Sequence, residues 1–528
     1  MLGLELVVVL GVTMLLSHLV ARRLRIAPPV VLLVCGVLLG FAPALRGVHL
    51  PPEAMLLLFL PALLYWESLT TSLREIRSYL RGIVLMSTVL VIATAAAVAV
   101  VAHALGLPWG PAWVLGAAVA PTDATAVGVL ARALPRRTVT LLRAESLVND
   151  GTALVIYGLA VGVTIGEERF SVPHVSWLFL LSYGGGVATG LATAWAGVWA
   201  RRRVDDPLLG NLVSLVTPFT AFLLAEVVHA SGVLAVVVCG LMISQAVPRV
   251  VRADTRQYGQ AFWSLSTFVL NGALFVLVGL EAQAAVRGLS AADLTRGLAG
   301  VGVASAVVIG VRFAFVFTAP YLIRLLDRRP QQRLLRTGAR TRVVSAVAGF
   351  RGAVSLAAAL AVPLALDSGE PFPGRDMIIF VTCGVIAVTL VGQGLLLPVM
   401  VRWARLPHDT AVEQERHLAE CLATEEALAA IPRLAAEHGA EPQVVDRLYR
   451  EYEEHLRVLR ANDAGIDDEP VLRHEQQYAA LRLAVLAHKR TTVVRLRDER
   501  RIDDTVLRQV QNQLDHEEVR LSRREVID

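Results

Sequence analysis

Long apolar stretches follow one another along most of the chain. About thirteen of them approach the ~20 residues that cross a bilayer as a helix. Their centres lie within 2–20, 27–45, 52–69, 82–106, 109–131, 142–166, 174–200, 207–229, 231–247, 257–283, 294–325, 342–366 and 375–402. This pattern predicts an all-α polytopic membrane protein. The stretches 207–229 and 231–247 also fit one bent helix, because only a short polar region separates them.

Arginine placement supports this number of spans, because loops on the cytoplasmic side of a membrane are rich in Lys and Arg. With the N-terminus outside, the loops predicted inside carry arginine clusters, at 22–25, 74–81, 132–143, 201–203, 249–256 and 324–342. The loops predicted outside carry far fewer arginines. The preference for Arg over Lys and the many alanines are typical of a GC-rich prokaryote. We therefore predict a multi-pass protein of a prokaryotic plasma membrane, with the N-terminus outside and the C-terminus in the cytoplasm.

The pattern changes near residue 408. Residues 409–528 are amphipathic, acidic residues outnumber basic ones there, and Gly439, Gly465 and Pro470 interrupt the apolar periodicity. We predict a transmembrane domain at 1–407 and a helical cytoplasmic domain at 408–528, with a role in packing or regulation.

Composition excludes several classes of function. Hydrophobic residues make up 55% of the 528 residues and charged residues only 18%, which excludes a soluble globular protein. The single lysine, Lys489, leaves no phosphate-binding loop of the form GxxxxGK[ST], so an ATP-driven pump is excluded. The four cysteines form no CxxC pair. We expect no enzyme activity, no cofactor, no nucleotide and no nucleic-acid partner; the energy must come from a gradient.

Ionisable residues deep inside apolar spans are candidates for function, because a charge at the bilayer centre costs several kcal/mol. The fifth span contains Pro121, Thr122 and Asp123. Proline removes a backbone donor, and the next two residues offer oxygens where the helix would break. A broken helix exposes carbonyls and helix ends to a cation. The alternative is a kinked helix whose second half is capped by Asp123.

The sixth span begins with Glu145, Ser146, Asn149 and Asp150. Residues four apart share a helix face, so two neighbouring stripes of this helix are polar. An Asn-Asp pair about one and a half turns inside an apolar helix predicts an ion site at Asp150. The alternative is a polar side chain that only bonds a neighbouring helix.

The twelfth span contains Arg351 between Gly349 and Gly352. Arginine stays charged and needs a partner; we predict an ion pair with Glu145, which would leave Asp150 free to exchange its proton for a cation. Thirteen spans also divide as six, one and six, and units related in this way have opposite orientation. In this inverted-repeat scheme the fifth and twelfth spans correspond, and both are interrupted. We predict that they form the binding site together.

Other polar residues in the spans carry weaker signals. Glu67 lies near the inner end of the third span, where it either faces the pathway or reaches interfacial water. Glu226 lies towards the outer end of its span and either lines an outer funnel or contacts headgroups. Asn271 and Arg312 are deeper, where a bond between helices and an ion contact are equally expected.

Four segments together resemble the NhaP and NHE-like branch of the bacterial Na+/H+ exchangers, within the monovalent cation/proton antiporters. They are Pro-Thr-Asp at 121–123, ESLVNDGTA at 145–153, AEVVHASGVLAVVVCGL at 225–241 and GFRGAVSLAAAL at 349–360. The resemblance covers essentially the whole membrane part. It implies thirteen helices, a dimerisation domain, a six-helix core in which the interrupted fifth and twelfth helices cross, and a homodimer.

The resemblance also implies roles for individual residues. Asp150 would carry the proton and the Na+ or other monovalent cation. Asp123 and Thr122 would support the crossing, and Ser146 and Asn149 would shape the cation site. Members with Asn-Asp at these positions resemble electroneutral exchangers.

Glu145 and Arg351 would again form the structural ion pair. One departure concerns the third span, where relatives often have a glutamate at the position of Trp66. Here Glu67 comes one residue later, a step that turns the side chain by about 100° and argues against an ion contact.

We therefore expect a secondary active monovalent cation/proton antiporter that works by alternating access. A passive cation channel and a proton-coupled carrier of a small organic solute remain the alternatives.

Overall fold

The computed structural model describes residues 2–24, 26–43, 55–123, 134–166, 172–288, 291–326, 338–406, 410–463 and 470–525. The chain divides into two compact units, Met1–His408 and Asp409–Asp528. Apart from an isolated bridge between Ala365 and Pro371, the regular structure of the described residues is helical. The predicted all-α architecture is thus confirmed.

The first unit is a bundle of apolar helices. In chain order they are α1 (Leu2–Leu24), α2 (Pro28–Leu39), α3 (Leu60–Thr70, after a π-helical turn at Met55–Phe59), α4 (Leu73–Ala104), α5 (Trp109–Val119), α6 (Arg136–Ile165), α7 (Val172–Arg201), α8 (Pro207–Val227), α9 (Gly232–Val250), α10 (Ala253–Gly288), α11 (Ala291–Leu326), α12 (Ala339–Val347), α13 (Ala353–Leu360) and α14 (Arg375–Ala404). Within the described residues, nine of them are long and apolar enough to cross a membrane. The exact number of spans and the inverted repeat stay predictions.

The outer surface of this bundle is apolar. Large hydrophobic side chains are exposed along α7, α8 and α10, including Leu180, Trp195, Leu208 and Leu265. Such a surface would be unfavourable in water and is suited to contact with lipid. Several polar side chains of α6 are buried instead, within a mainly hydrophobic interior.

Local sequence explains why 207–247 forms two helices. Asp206 accepts hydrogen bonds from the backbone of Leu208 and Leu209 (2.7 and 3.1 Å) and caps α8. Ser231 accepts from the backbone of Leu234 (3.2 Å) and caps α9. The two caps set separate helix starts, so the single bent helix is not formed.

Both predicted interruptions are present. Helix α5 ends at Val119 and residues 120–123 are not helical; the remainder of the fifth span, from 124, lies outside the described residues. Residues 348–352 separate α12 from α13. The two interruptions touch, because the Asp123 backbone N–H donates to the Phe350 carbonyl (2.8 Å).

The second unit consists of α15 (Ala411–His438), α16 (Pro442–Asp463), α17 (Pro470–Asp498) and α18 (Asp504–Glu525). Leu428 and Ile431 of α15 pack against Leu456 of α16. Leu486 of α17 packs against Leu514 of α18, and Arg482 pairs with Glu517 (2.8 Å). The predicted helical tail is confirmed, built from two packed helix pairs.

Candidate cation site

Four of the polar side chains that helix α6 buries lie on adjoining faces. Glu145, Ser146, Asn149 and Asp150 are each exposed by no more than 5%. Their spacing of three and four residues places them on adjacent turns. A helix that buries so many polar groups must present them to polar partners, since unpaired groups are costly in an apolar interior.

A small cavity lies beside Asp150. Its volume is about 40 Å³, which exceeds the ~10–15 Å³ that one water needs. The polar residues that line it are Glu67, Thr122, Asp123, Ser146, Asp150, Asn271 and Ser355. The cavity therefore collects oxygen-bearing side chains from α3, α6, α10, α13 and the first interruption. Carboxylate, hydroxyl and amide oxygens are the ligands that hard cations prefer.

Hydrogen bonds connect α6 to the first interruption. Asn149 Nδ2 donates to the Thr122 hydroxyl (2.7 Å) and to the Thr122 carbonyl (3.3 Å). Thr122 Oγ1 in turn donates to Glu145 Oε1 (3.3 Å). These contacts hold the non-helical backbone of 120–123 against the helix that carries Asp150.

Glu145 pairs with Arg312 of α11, so the predicted pair of Glu145 with Arg351 is wrong. Arg312 Nη1 lies 2.5 Å from Glu145 Oε1 and Nη2 lies 3.2 Å from Oε2. Arg312 is only 1% exposed, and it also donates to the Ser345 carbonyl (3.2 Å from Nη2). A two-pronged arginine–carboxylate contact satisfies both charges where water is absent.

Arg351 binds backbone carbonyls instead. Its Nε donates to the Val119 carbonyl (3.0 Å), its Nη2 to the Ala120 carbonyl (3.4 Å) and its Nη1 to the Gly349 carbonyl (2.5 Å). Two of these carbonyls belong to the end of α5, where the helix dipole is negative. The positive charge of the second interruption therefore stabilises the helix end of the first.

The reciprocal contact joins Asp123 to the start of α13. A Cβ atom at Gly352, the residue before α13, would collide with the Asp123 carboxylate. The negative carboxylate thus lies at the positive end of that helix. A Cβ at Gly349 would collide with Arg312. The two glycines beside Arg351 are needed because charged side chains approach their backbone.

Three further outcomes concern individual residues. Glu67 lines the cavity with Asp150; its place on the pathway and the expectation that it makes no ion contact stay predictions. Asn271 also lines the cavity. Glu226 is exposed at the end of α8 and is not among the cavity residues, and its place on an outer pathway stays a prediction.

Sequence reasoning missed Ser355. This residue follows Gly352 by three positions, in a stretch that reads as an ordinary apolar helix. The only signal was its position just after an interrupted helix, a place where side chains reach the site.

An apolar helical bundle in which two interrupted helices meet beside buried carboxylates has the architecture of a secondary transporter. The family described as sodium/hydrogen exchanger, transmembrane, matches residues 10–403. The chain therefore belongs to the sodium/hydrogen exchanger family, and its class of transport is cation/proton antiport.

Relatives agree with this assignment, and a solved structure shares the fold. A Mycobacterium tuberculosis protein named as an uncharacterized Na(+)/H(+) exchanger is 44% identical over 98% of this chain and 96% of its own length. The Na(+)/H(+) antiporter ApNhaP of Aphanothece halophytica is 30% identical over 75% of this chain and 73% of its own length. The sodium proton antiporter MjNhaP1 of Methanocaldococcus jannaschii shares the fold, with a TM-score of 0.58 at 19% identity, over 76% of this chain and 99% of that chain.

Removing Arg312 should destabilise the protein. Arg312→Ala leaves the Glu145 carboxylate buried without its partner, a change that costs ~3–5 kcal/mol in comparable pairs. We expect a lower Tm for the purified protein in detergent. The double variant Arg312→Ala/Glu145→Gln removes the stranded charge and should recover most of the loss. Arg402→Ala, at an exposed arginine, is the control. An equal Tm for Arg312→Ala and Arg402→Ala would contradict a stabilising role of the Arg312–Glu145 pair.

A methyl group at Gly352 should disable transport. Gly352→Ala would push the Asp123 carboxylate or the backbone of 348–352 out of place, and small displacements at a site reduce turnover by roughly tenfold or more. The rate of cation-dependent proton movement in proteoliposomes, at matched protein content, measures the effect. Gly310→Ala, where the added methyl meets open space, should leave the rate unchanged. Equal rates for both variants would argue against the close contact.

Proposed function

We propose that this protein exchanges one monovalent cation for one proton, and that Asp150 alternately binds the two. One observation carries the proposal: Asp150 is buried to 5% exposure at the cavity, whereas Glu145, the other buried carboxylate of α6, has Arg312 as its partner. The charge of Glu145 is already compensated. Asp150 is therefore the α6 carboxylate left to exchange ligands.

Competition at a single carboxylate couples the two fluxes. An ionised Asp150 is costly to move through an apolar barrier, while Asp150 neutralised by a proton or by a cation is not. Only the loaded site then changes its exposure from one side to the other, which is alternating access. Each ion leaves as the other enters, so exchange is obligatory.

Charge conservation makes the proposed exchange electroneutral. A proton and an alkali cation each add one positive charge to Asp150, so the loaded site has the same charge in both directions. The neighbouring residue is the amide Asn149, which binds Thr122 and adds no second carboxylate. One-for-one exchange moves no net charge.

The cavity size argues against the organic-solute alternative. Pockets for small organic molecules usually have ~300 Å³ or more, and the cavity at Asp150 has about 40 Å³. That volume suits a partly dehydrated ion. A passive channel is the remaining alternative, and a conductance measurement separates it from an exchanger.

We further propose a homodimer in the plasma membrane, with the N-terminus outside and the C-terminus in the cytoplasm. The orientation is supported by the arginines at the end of α1 (Arg22 and Arg23), in the first turns of α4 (Arg74 and Arg77) and at the end of α7 (Arg201). All of these ends fall on one side if the chain crosses as proposed, and that side is the cytoplasmic one by the charge rule. The family resemblance supports the dimer.

Asp150→Asn should abolish exchange without preventing insertion. The amide cannot become charged, so it can neither release a proton nor neutralise a cation. The measurement is the internal pH of proteoliposomes after addition of Na+, Li+ or K+, with the membrane potential clamped or free. Asp376→Asn, at an exposed carboxylate, should behave like the wild type.

The same measurement tests the other parts of the proposal. Wild-type exchange that is indifferent to membrane potential supports electroneutrality. Cation-coupled proton movement retained in Asp150→Asn would refute the assignment of the carrier. A wild type that conducts cations with no coupled proton movement would indicate a channel.

A further inference from the structure

Most hydroxyl groups in the apolar helices of this bundle satisfy themselves locally. A serine or threonine inside a helix can donate to the carbonyl four residues earlier. Ser68 donates in this way to Leu64 (2.6 Å), and Thr267 donates to Trp263 (2.7 Å). Hydroxyls bonded in this way already have a partner within their own helix and give no evidence of a ligand.

Ser355 is different because of where its helix begins. It is the third residue of α13, and the preceding residues 348–352 are not helical, so no helical carbonyl lies four residues behind it. The side chain is 1% exposed, and Oγ has no hydrogen-bond partner in the described part of the protein. A buried polar group without a partner is costly. The Ser355 hydroxyl is therefore available to a partner that is not part of the chain.

The position of Ser355 indicates that partner. Ser355 lines the same small cavity as Asp150 and Ser146. The first turn of α13 thus brings a neutral oxygen to the cavity that Asp150 of α6 lines. The positive end of α13 would repel a cation, but the Asp123 carboxylate against Gly352 offsets that field.

We propose that the Ser355 hydroxyl oxygen is a ligand of the transported monovalent cation. This inference rests on the proposed exchange at Asp150 and adds a ligand from the first turn of α13. A hydroxyl is neutral, so it strengthens cation binding without changing the charge balance of one-for-one exchange. A proton on Asp150 needs no such ligand. Ser355 should therefore act on cation affinity and leave proton affinity unaffected.

The test compares the apparent KM for Na+ and Li+ in proteoliposomes across matched variants. Ser355→Ala should raise the apparent KM roughly tenfold, the effect of losing one bond to a charged group, with little change in the maximal rate. Ser305→Ala is the control, because Ser305 of α11 is also buried with an unpartnered hydroxyl but does not line the cavity. Its KM should equal that of the wild type.

A second pair of variants separates ligand loss from a packing defect. Ser355→Thr keeps the hydroxyl, and Ser355→Val replaces it with a methyl group in a side chain of nearly the same shape as threonine. The Ser355→Thr variant should therefore have a lower KM for Na+ than the Ser355→Val variant. The Na+-induced rise in Tm of the purified protein, measured against choline chloride, should be larger for Ser355→Thr than for Ser355→Val. A ligand stabilises the folded state more when it binds more tightly.

The outcomes distinguish this inference from the proposed function. A wild type without cation-coupled proton movement would overturn both. A functional wild type with an unchanged KM in Ser355→Ala, or with equal KM values for Ser355→Thr and Ser355→Val, would overturn the ligand role and leave the exchange at Asp150 intact. A KM raised equally in Ser305→Ala would also overturn it, because the effect would then be structural.

Discussion

The site depends on two interrupted helices that stabilise each other, because each places a charged side chain at a helix end of the other. Interrupting a helix inside an apolar bundle exposes backbone carbonyls at one end and N–H groups at the other, and both need partners. Arg351 of the second interruption binds the carbonyls at the end of α5, and Asp123 of the first lies at the start of α13. Each interruption thus supplies the charge that the other requires, and the crossing is electrostatically balanced without any bound ion.

This balance makes the neighbouring carboxylate available. Arg351 is engaged by backbone carbonyls and Arg312 by Glu145, so neither arginine is an evident partner for Asp150. In the proposed exchange a cation competes with a proton at Asp150, and a permanent ion pair at that carboxylate would oppose the binding of both. Arg312 compensates the charge of Glu145. Asp150 is therefore the α6 carboxylate to which the proposal assigns the exchange.

The cavity beside Asp150 is small and lined by oxygen-bearing side chains. A space of about 40 Å³ lined by carboxylate, hydroxyl and amide oxygens is far smaller than the ~300 Å³ or more usual for organic ligands. Hydrogen bonds from Asn149 to Thr122 hold one wall against α6. The wall formed by α13 begins at Gly352, where the absence of a side chain lets Asp123 approach the backbone. The backbones are in close contact where the two interruptions cross, and the residues that line the cavity come from separate helices.

Hydropathy, proline and glycine determined much of this protein through forces that act within one segment. Apolar length set the positions of the helices, Pro121 and the glycines around Arg351 set the interruptions, and the four-residue spacing of Glu145 and Asn149 set the polar faces of α6. Partner choice was decided only by tertiary structure. Glu145 and Arg312 are 167 residues apart, and nothing in the local pattern distinguishes Arg312 from Arg351 as the partner. The inward position of Glu67 and the orphaned hydroxyl of Ser355 were decided in the same way, because they depend on how helices are rotated and where they pack, and a single segment contains no information about its neighbours.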